Sequence, residues 1–181
     1  MKILIFGFVT LLLTLGSIKN KSNVVAILEE GEVVVEVVLE EVEVVGVNYK
    51  YLNAIGYKSA AEPVKLLEQK VASFDLKNSD IINDEEQYYN VSFEIPQGKI
   101  LAVFDNEGEI ISTSEKFTDI SLPIDVSNAI VKKYPGWKIT GDIYLATYVK
   151  DGELNITYDL FIEKTNIGKR VIKTDECGNI L

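Results

Sequence analysis

The sequence predicts an α+β protein built from two tandem copies of a unit in which a helix packs on one face of an antiparallel sheet. Three observations predict this fold. Apolar residues recur at helical spacing after Pro63 and again after Pro123, alternating strand patterns follow each helix, and turn residues recur at a nearly fixed offset. Hydrophobic residues make up 47% of the 181 residues, which is enough for a packed core. We therefore expect helices on one face of the sheet and an uncovered opposite face.

The first unit begins where Pro63 suits the first turn of a helix, because its missing N–H costs nothing there. The expected helix is marked by the apolar residues Val64, Leu67, Val71 and Phe74. From Tyr88 to Ile95 apolar and polar residues alternate, as in a strand with one wet face. Further strands are expected at Ile100–Phe104 and Glu109–Ser112, on either side of the turn Asp105–Gly108.

The second unit repeats this order. Its helix, with Val126, Ile130 and Tyr134, starts at Pro123 and must stop at Pro135. The strands that follow are expected at Trp137–Val149, with a bend at Gly141, at Ile156–Ile162 and at Arg170–Thr174.

The blocks YNVSFEIPQGKILAVFDNEGEII and YDLFIEKTNIGKRVIKTDECGNIL align at an offset of 69 residues and then 70. The aligned markers are Tyr89 with Tyr158, Gly98 with Gly168, Asp105 with Asp175, and Gly108 with Gly178. This alignment assigns residues 51–120 to the first α+β repeat and residues 121–181 to the second.

The amino terminus predicts export. Lys2 precedes the apolar run from Ile3 to Leu15, and small residues follow at Gly16 and Ser17. The run is shorter than the roughly 20 residues that a membrane span needs. We therefore expect residues 1–22 to be a signal peptide, a periplasmic or secreted location, and no stable membrane span after cleavage.

Residues 23–50 form a Val/Glu-rich N-terminal arm or edge strand. The segment Val24–Val47 is dense in β-branched residues, which favour strands. Two interpretations remain open: an added edge strand or flexible lead-in, and a strand-donating arm through which copies of the chain self-associate.

Composition excludes several classes of function. The net charge of −10 disfavours nucleic acid, and the absence of histidine removes Ser-His-Asp and Cys-His catalysis. Cys177 has no histidine base nearby, so we expect an unreactive thiol that is exposed enough for an intermolecular disulfide. We predict no cofactor, no metal and no enzyme activity. A carboxylate-only enzyme would need a buried Asp/Glu pair in a deep pocket.

Two acidic features have ordinary explanations. The turns at Asp105 and Asp175 lack the spacing of calcium loops, so we predict hairpin turns. The polar run containing Asp80, Asp84, Glu85 and Glu86 is expected to be a solvated loop.

Aromatic residues supply the candidate binding site, because they bury large areas in interfaces at a low entropic cost. The candidate protein-binding face comprises Tyr88, Trp137, Tyr144, Tyr148 and Phe161. Tyr88 and Phe161 lie opposite the apolar rows of their strands, whereas Trp137 follows a helix and is equally consistent with the core.

The segments LPIDVSNAIVKKYPGWKI and YDLFIEKTNIGKRVIKTDECGNIL resemble the PepSY-like family of exported Bacteroidetes proteins. The repeats are similar to the helix-plus-strand units of β-lactamase inhibitor proteins. The resemblance is best from Leu122 to Leu181 and does not extend to the Val/Glu-rich arm. It implies a periplasmic or secreted protein with a sheet face open for protein binding, and inhibition of an extracytoplasmic enzyme. The alternative is a structural or self-associating component of the cell envelope.

Overall fold

The structure is a computed structural model that describes residues 26–29, 32–36, 48–56, 59–83 and 86–181. The signal segment, most of the Val/Glu-rich segment, Tyr57, Asp84 and Glu85 lie outside these residues. The helices are α1 (Tyr49–Ile55), α2 (Glu62–Ala72) and α3 (Ile124–Lys133). The strands are β1 (Ala26–Glu29), β2 (Glu32–Glu36), β3 (Tyr88–Ile95), β4 (Gly98–Asp105), β5 (Ile110–Thr118), β6 (Lys138–Val149), β7 (Asn155–Lys164) and β8 (Gly168–Asp175).

The described strands form one sheet whose order follows the sequence from β1 to β8. Strands β3 to β8 are antiparallel to their neighbours. Strand β2 runs parallel to β3, and β1 pairs with β2 in an antiparallel hairpin. The predicted α+β class is confirmed.

The core lies between the helices and one face of the sheet. In β3 the alternating residues Val91 and Phe93 are buried, and their register partners on β4 are Ala102 and Ile100. The inward rows of the strands and the buried residues of all three helices form a single apolar cluster. The opposite side of the sheet, which carries residues such as Tyr88, Ser114 and Phe161, is named the helix-free face. Among the described helices, none covers it.

Helix α1 was not predicted, because its seven residues mix two tyrosines with polar residues and lack a helical repeat. Tertiary contacts hold it instead. The Asn48 side chain donates from Nδ2 to the Gly108 carbonyl over 3.1 Å, and its Oδ1 accepts the Ile110 N–H over 2.9 Å. Asn48 therefore fixes the start of α1 against the turn between β4 and β5.

Strand β5 is longer than the sequence pattern predicted, since it continues to Thr118 rather than ending at Ser112. The extension pairs with β6 from Ser112↔Val149 to Thr118↔Ile143, and this ladder joins the two halves of the sheet. The expected bend near Gly141 is present as a register shift between Ile139 and Gly141.

Two turns have matching hydrogen bonds. Asp105 Oδ1 accepts the N–H groups of Glu107 and Glu109, each over 2.9 Å. Asp175 Oδ1 accepts those of Cys177 and Asn179, over 3.0 and 2.8 Å. The carboxylates are thus used to close hairpin turns, as predicted.

The turn glycines differ in their surroundings. Gly108 and Gly178 have φ values of +80° and +81°, a region that favours glycine. A Cβ atom at Gly108 would meet nothing closer than 3.8 Å, whereas one at Gly178 would lie 2.6 Å from the Asp125 carbonyl oxygen of α3. The second turn is therefore packed against a helix backbone and the first is not.

We expect Gly178→Ala to lower the free energy of unfolding more than Gly108→Ala. Both substitutions carry the same backbone strain of about 1 kcal/mol, but only Gly178→Ala adds a clash, which costs a further ~1–3 kcal/mol. Urea denaturation of the two variants measures the difference. Equal losses would show that α3 does not pack on this turn.

Candidate functional site

Two buried glutamates lie between the helices and the sheet. Glu68 is on α2, on the side that Val64, Leu67 and Val71 turn towards the core, and it is 1% exposed. Glu115 is in the middle of β5, in the inward row with Phe117, and it is 2% exposed. Burial of an ionisable group without a charged partner is costly, so this carboxyl pair is unusual in a core.

The hydrogen bonds that other described residues donate to the carboxyl pair all go to one atom, Oε1 of Glu115. Tyr51 Oη donates to Glu115 Oε1 over 2.8 Å, and Thr113 Oγ1 donates to the same oxygen over 3.0 Å. No other described residue donates a hydrogen bond to either oxygen of Glu68 or to Oε2 of Glu115. The hydrogen bond open to these oxygens is therefore one between the two carboxyl groups, in which the protonated group donates to the other. The ion pairs found in this part of the chain include neither glutamate.

The environment holds protons on the carboxyl pair. Burial raises the pKa of Glu68 to about 9, and the nearby charge of Glu115 adds to the effect. Burial also raises the pKa of Glu115 to about 7, although hydrogen bonds from Tyr51 and Thr113 oppose the shift. Burial and the charge of Glu115 raise the pKa of Tyr51, so its phenol stays a donor. At neutral pH the pair therefore keeps at least one proton.

Two carboxyl groups with separated pKa values are an arrangement that acid–base enzymes use, but such enzymes need an opening for substrate. Two depressions on the described surface lie elsewhere. One lies between α3 and the last turn, beside Ala129 and Gly178, and the other lies at the hairpin between β3 and β4. The carboxyl pair lines neither of these two depressions.

Sequence reasoning missed both glutamates, although a signal for each was present. Glu68 lies four residues after Val64 and three before Val71, within the apolar stripe of its own helix. Glu115 lies two residues before Phe117, so a strand that buries Phe117 also buries Glu115. The missed extension of β5 concealed the second signal.

The other polar candidates that the structure describes lie in solvent, as the sequence predicted. Asp80, Glu86 and Cys177 are exposed. Within the described residues, no three Asp, Glu, Cys or His side chains are close enough together to hold a metal ion. Nor is any described helix long and apolar enough to cross a membrane.

The structure does not bring the five aromatic residues of the candidate binding face together. Tyr144 and Tyr148 are in the inward row of β6, 4% and 7% exposed, so burial removes them from any surface. The Tyr144 ring packs edge-on against the Tyr158 ring, with the ring centroids 5.4 Å apart. The Tyr148 ring packs against the Tyr51 ring in the same way, with the centroids 5.3 Å apart. These two tyrosines were misplaced because a phenol does not reveal which face of a strand it occupies.

Tyr88 and Phe161 are on the helix-free face, 59% and 39% exposed. They are four strands apart, roughly 19 Å at the usual strand spacing. Trp137 is half-buried on the helix-covered side of the sheet, where it packs against the core. The Arg170 Cζ atom lies 5.0 Å from the centroid of its ring. One small epitope cannot contact all three.

Two exposed apolar residues lie side by side on β7 and β8, on the helix-free face. Phe161 and Val171 are register partners, and Val171 is 58% exposed. Their neighbours along the strands form cross-strand ion pairs, Asp159 with Lys173 at 3.9 Å and Glu163 with Lys169 at 3.8 Å. We name these six residues the β7–β8 patch. It has an apolar centre and a charged rim, as many protein interfaces do.

The neighbouring strand leaves the Phe161 ring accessible. Gly141 on β6 is its register partner, and glycine has no side chain to cover the ring. A Cβ atom built at Gly141 would lie 3.7 Å from Phe161 Cδ2.

We expect stability to fall as the pH rises from about 4.5 to about 9, because the folded carboxyl pair binds protons that the unfolded chain releases. Each group contributes a slope of up to about 1.4 kcal/mol per pH unit within its own window. Glu68→Gln removes the contribution of Glu68, so the urea midpoints at pH 5, 7 and 9 should lie closer together than those of the wild type, and the difference that remains between pH 5 and pH 7 comes from Glu115. The exposed substitution Glu107→Gln is the control and should keep the wild-type slope. A Glu68→Gln slope equal to that of the wild type would contradict the assignment.

Comparison with known proteins finds no matching family model and no matching curated protein. Among solved structures, a DUF2874 family protein from Bacteroides ovatus is 17% identical, with a TM-score of 0.32, over 55% of this chain and 70% of that one. A BLIP-like protein from Bacteroides fragilis is 18% identical, with a TM-score of 0.31, over 57% of this chain and 72% of that one. Likenesses this distant carry no functional argument.

Proposed function

We propose that this chain is an exported, non-catalytic module that binds another protein through the β7–β8 patch. The observation that carries the proposal is the exposure of Phe161 and Val171 side by side on a face that no described helix covers. Exposed apolar groups ringed by polar ones are typical of interaction sites. The absence of histidine and the enclosed position of the carboxyl pair support a non-catalytic role.

More specifically, we propose that the chain is a duplicated PepSY-like protein with inhibitor-like activity towards an extracytoplasmic protein. It is supported by the two sequence blocks quoted above and by the order of elements, a helix followed by three antiparallel strands, which occurs as α2 to β5 and again as α3 to β8. The matching turns at Asp105 and Asp175 support it further. The sequence-based boundary at residue 51 falls inside α1, so we begin the first unit at Asn48.

Export rests on the first 22 residues. A periplasmic or secreted location follows from this part of the proposal and not from the fold.

We expect Phe161→Ser/Val171→Ser to reduce capture of the partner at least tenfold, because the apolar centre of the patch is lost. The measurement is affinity capture from a cell-envelope extract of the source organism, followed by quantitative mass spectrometry. Ile124→Ser/Val131→Ser is the matched control, since these α3 residues are 70% and 68% exposed. Circular dichroism verifies folding, which surface changes should alter little.

The binding proposal fails if the wild type retains no protein above background, or if both double variants retain the same proteins equally.

We expect the mature protein to begin between residues 17 and 23, because a signal peptidase would cut after the apolar run. Cell fractionation and N-terminal sequencing measure this directly. A mutation of Leu11, Leu12 and Leu13 to Asp should leave the full-length precursor inside the cell. Recovery of intact Met1 outside the cytoplasm would refute cleavage.

A further inference from the structure

Trp137 is a sequence candidate for binding that the β7–β8 patch does not include. It lies in the loop between α3 and β6, where its ring contacts the Tyr134 ring edge-on, with the ring centroids 6.4 Å apart. Both side chains are half-buried, so part of each ring is open to solvent.

Two cations from the hairpin of β7 and β8 lie against this loop. The Arg170 Cζ atom is 5.0 Å from the centroid of the Trp137 ring, and Lys164 Nζ donates to the Pro135 carbonyl over 3.1 Å. A guanidinium is attracted to the face of an aromatic ring, and most strongly to that of tryptophan. The ring therefore helps to hold Arg170 in place. We name Tyr134, Trp137, Lys164 and Arg170 the basic corner.

The guanidinium of Arg170 is exposed and keeps its hydrogen-bond donors free within the part of the chain that the structure describes. The ion pairs found there do not include it, and no described group accepts a hydrogen bond from it. Its register partner Ile162 and the next residue across the sheet, Ile139, are both apolar, so neither supplies an acid. A ring against the face of a guanidinium leaves the N–H donors of its edge available.

The basic corner is cationic in an acidic protein. Residues 132–138 and 164–170, the two segments that meet there, contain six lysine or arginine residues and no acid, although the net charge of the chain is −10. Lysines in the last turn of α3 interact favourably with that helix terminus, and Lys169 pairs with Glu163. Arg170 is thus the cation whose charge has no such partner.

We propose that the basic corner binds an acidic side chain of a protein partner. The planar fork of Arg170 matches the two oxygens of a carboxylate, which accepts two parallel hydrogen bonds from it. The exposed parts of the Tyr134 and Trp137 rings provide an apolar surface for the residues beside that acid. Tryptophan and arginine are also the residue types most enriched among the side chains that dominate binding energy in interfaces.

This site is distinct from the β7–β8 patch. Arg170 and Val171 are consecutive residues of β8, so their side chains point to opposite faces of the sheet. Phe161→Ser/Val171→Ser should therefore leave binding at the basic corner unchanged, and failure of one proposal is distinguishable from failure of the other.

The test uses Trp137 as its own probe, because it is the only tryptophan in the chain. The capped peptide Gly-Glu-Gly-Glu-Gly-Glu-Gly is titrated into the chain from Asn23 onward, which retains every described residue. At about 20 mM salt we expect a saturable change in tryptophan emission with a Kd of about 1 mM or below. The matched peptide with Gln in place of Glu should bind at least about tenfold more weakly, because its amides carry no charge.

Variants identify the cation that binds. The anisotropy of a fluorescein-labelled form of the acidic peptide measures the affinity without relying on tryptophan emission. Arg170→Gln should weaken binding at least about tenfold, and Arg170→Lys should also weaken it, because an ammonium group cannot donate two parallel hydrogen bonds. Lys77→Gln is the matched control, since it removes the same charge from an exposed residue in the loop between α2 and β3, and it should bind as the wild type does. Circular dichroism verifies that each variant is folded.

The proposal is overturned if the acidic peptide leaves Trp137 emission unchanged, or if the Glu and Gln peptides bind equally. Equal affinities of Arg170→Gln and Lys77→Gln would also overturn it. So would an equal change in emission with sodium sulfate at the same concentration of negative charge, because the corner would then bind any small anion.

Discussion

The structure depends on covering one face of an antiparallel sheet and leaving the other face in solvent. Because side chains alternate along each strand, every strand from β3 to β8 must divide its residues between these two environments. The inward rows join the buried residues of the three helices in one cluster. The outward rows are mostly polar, and among the apolar residues on them Phe161 and Val171 stand out as candidates for binding because both are exposed and they are register partners.

The carboxyl pair lies at the junction of the two halves. Glu115 is on β5, the strand that pairs with β6, and its hydrogen-bond donor Tyr51 comes from α1. Glu68 adds a second carboxyl from α2. The hydrogen bond from Tyr51 links α1 to β5, while protonation reduces the cost of burying the carboxyl groups.

Periodicity predicted the long elements because each carries its own pattern. The buried row of β3 and the stripe of α2 could be identified from spacing alone. Helix α1 could not, since the side chain of Asn48 and a turn 60 residues away hold it in place. The inward position of Tyr144 and Tyr148 also depended on register, because their environment is set by Phe117 and Thr113 on the neighbouring strand. The carboxyl pair was hidden for the same reason: nothing local distinguishes a buried glutamate from a solvated one.

Hydroxyl-radical footprinting with mass spectrometry tests the division of the sheet into a covered and an open face most directly. The account predicts rapid modification of Tyr88 and Phe161, and protection of Tyr144 and Tyr148, in the native protein, with all four reacting readily once urea unfolds it. Native Tyr144 and Tyr148 that react as fast as Tyr88 would contradict the account, because the helices would then not cover the face assigned to them.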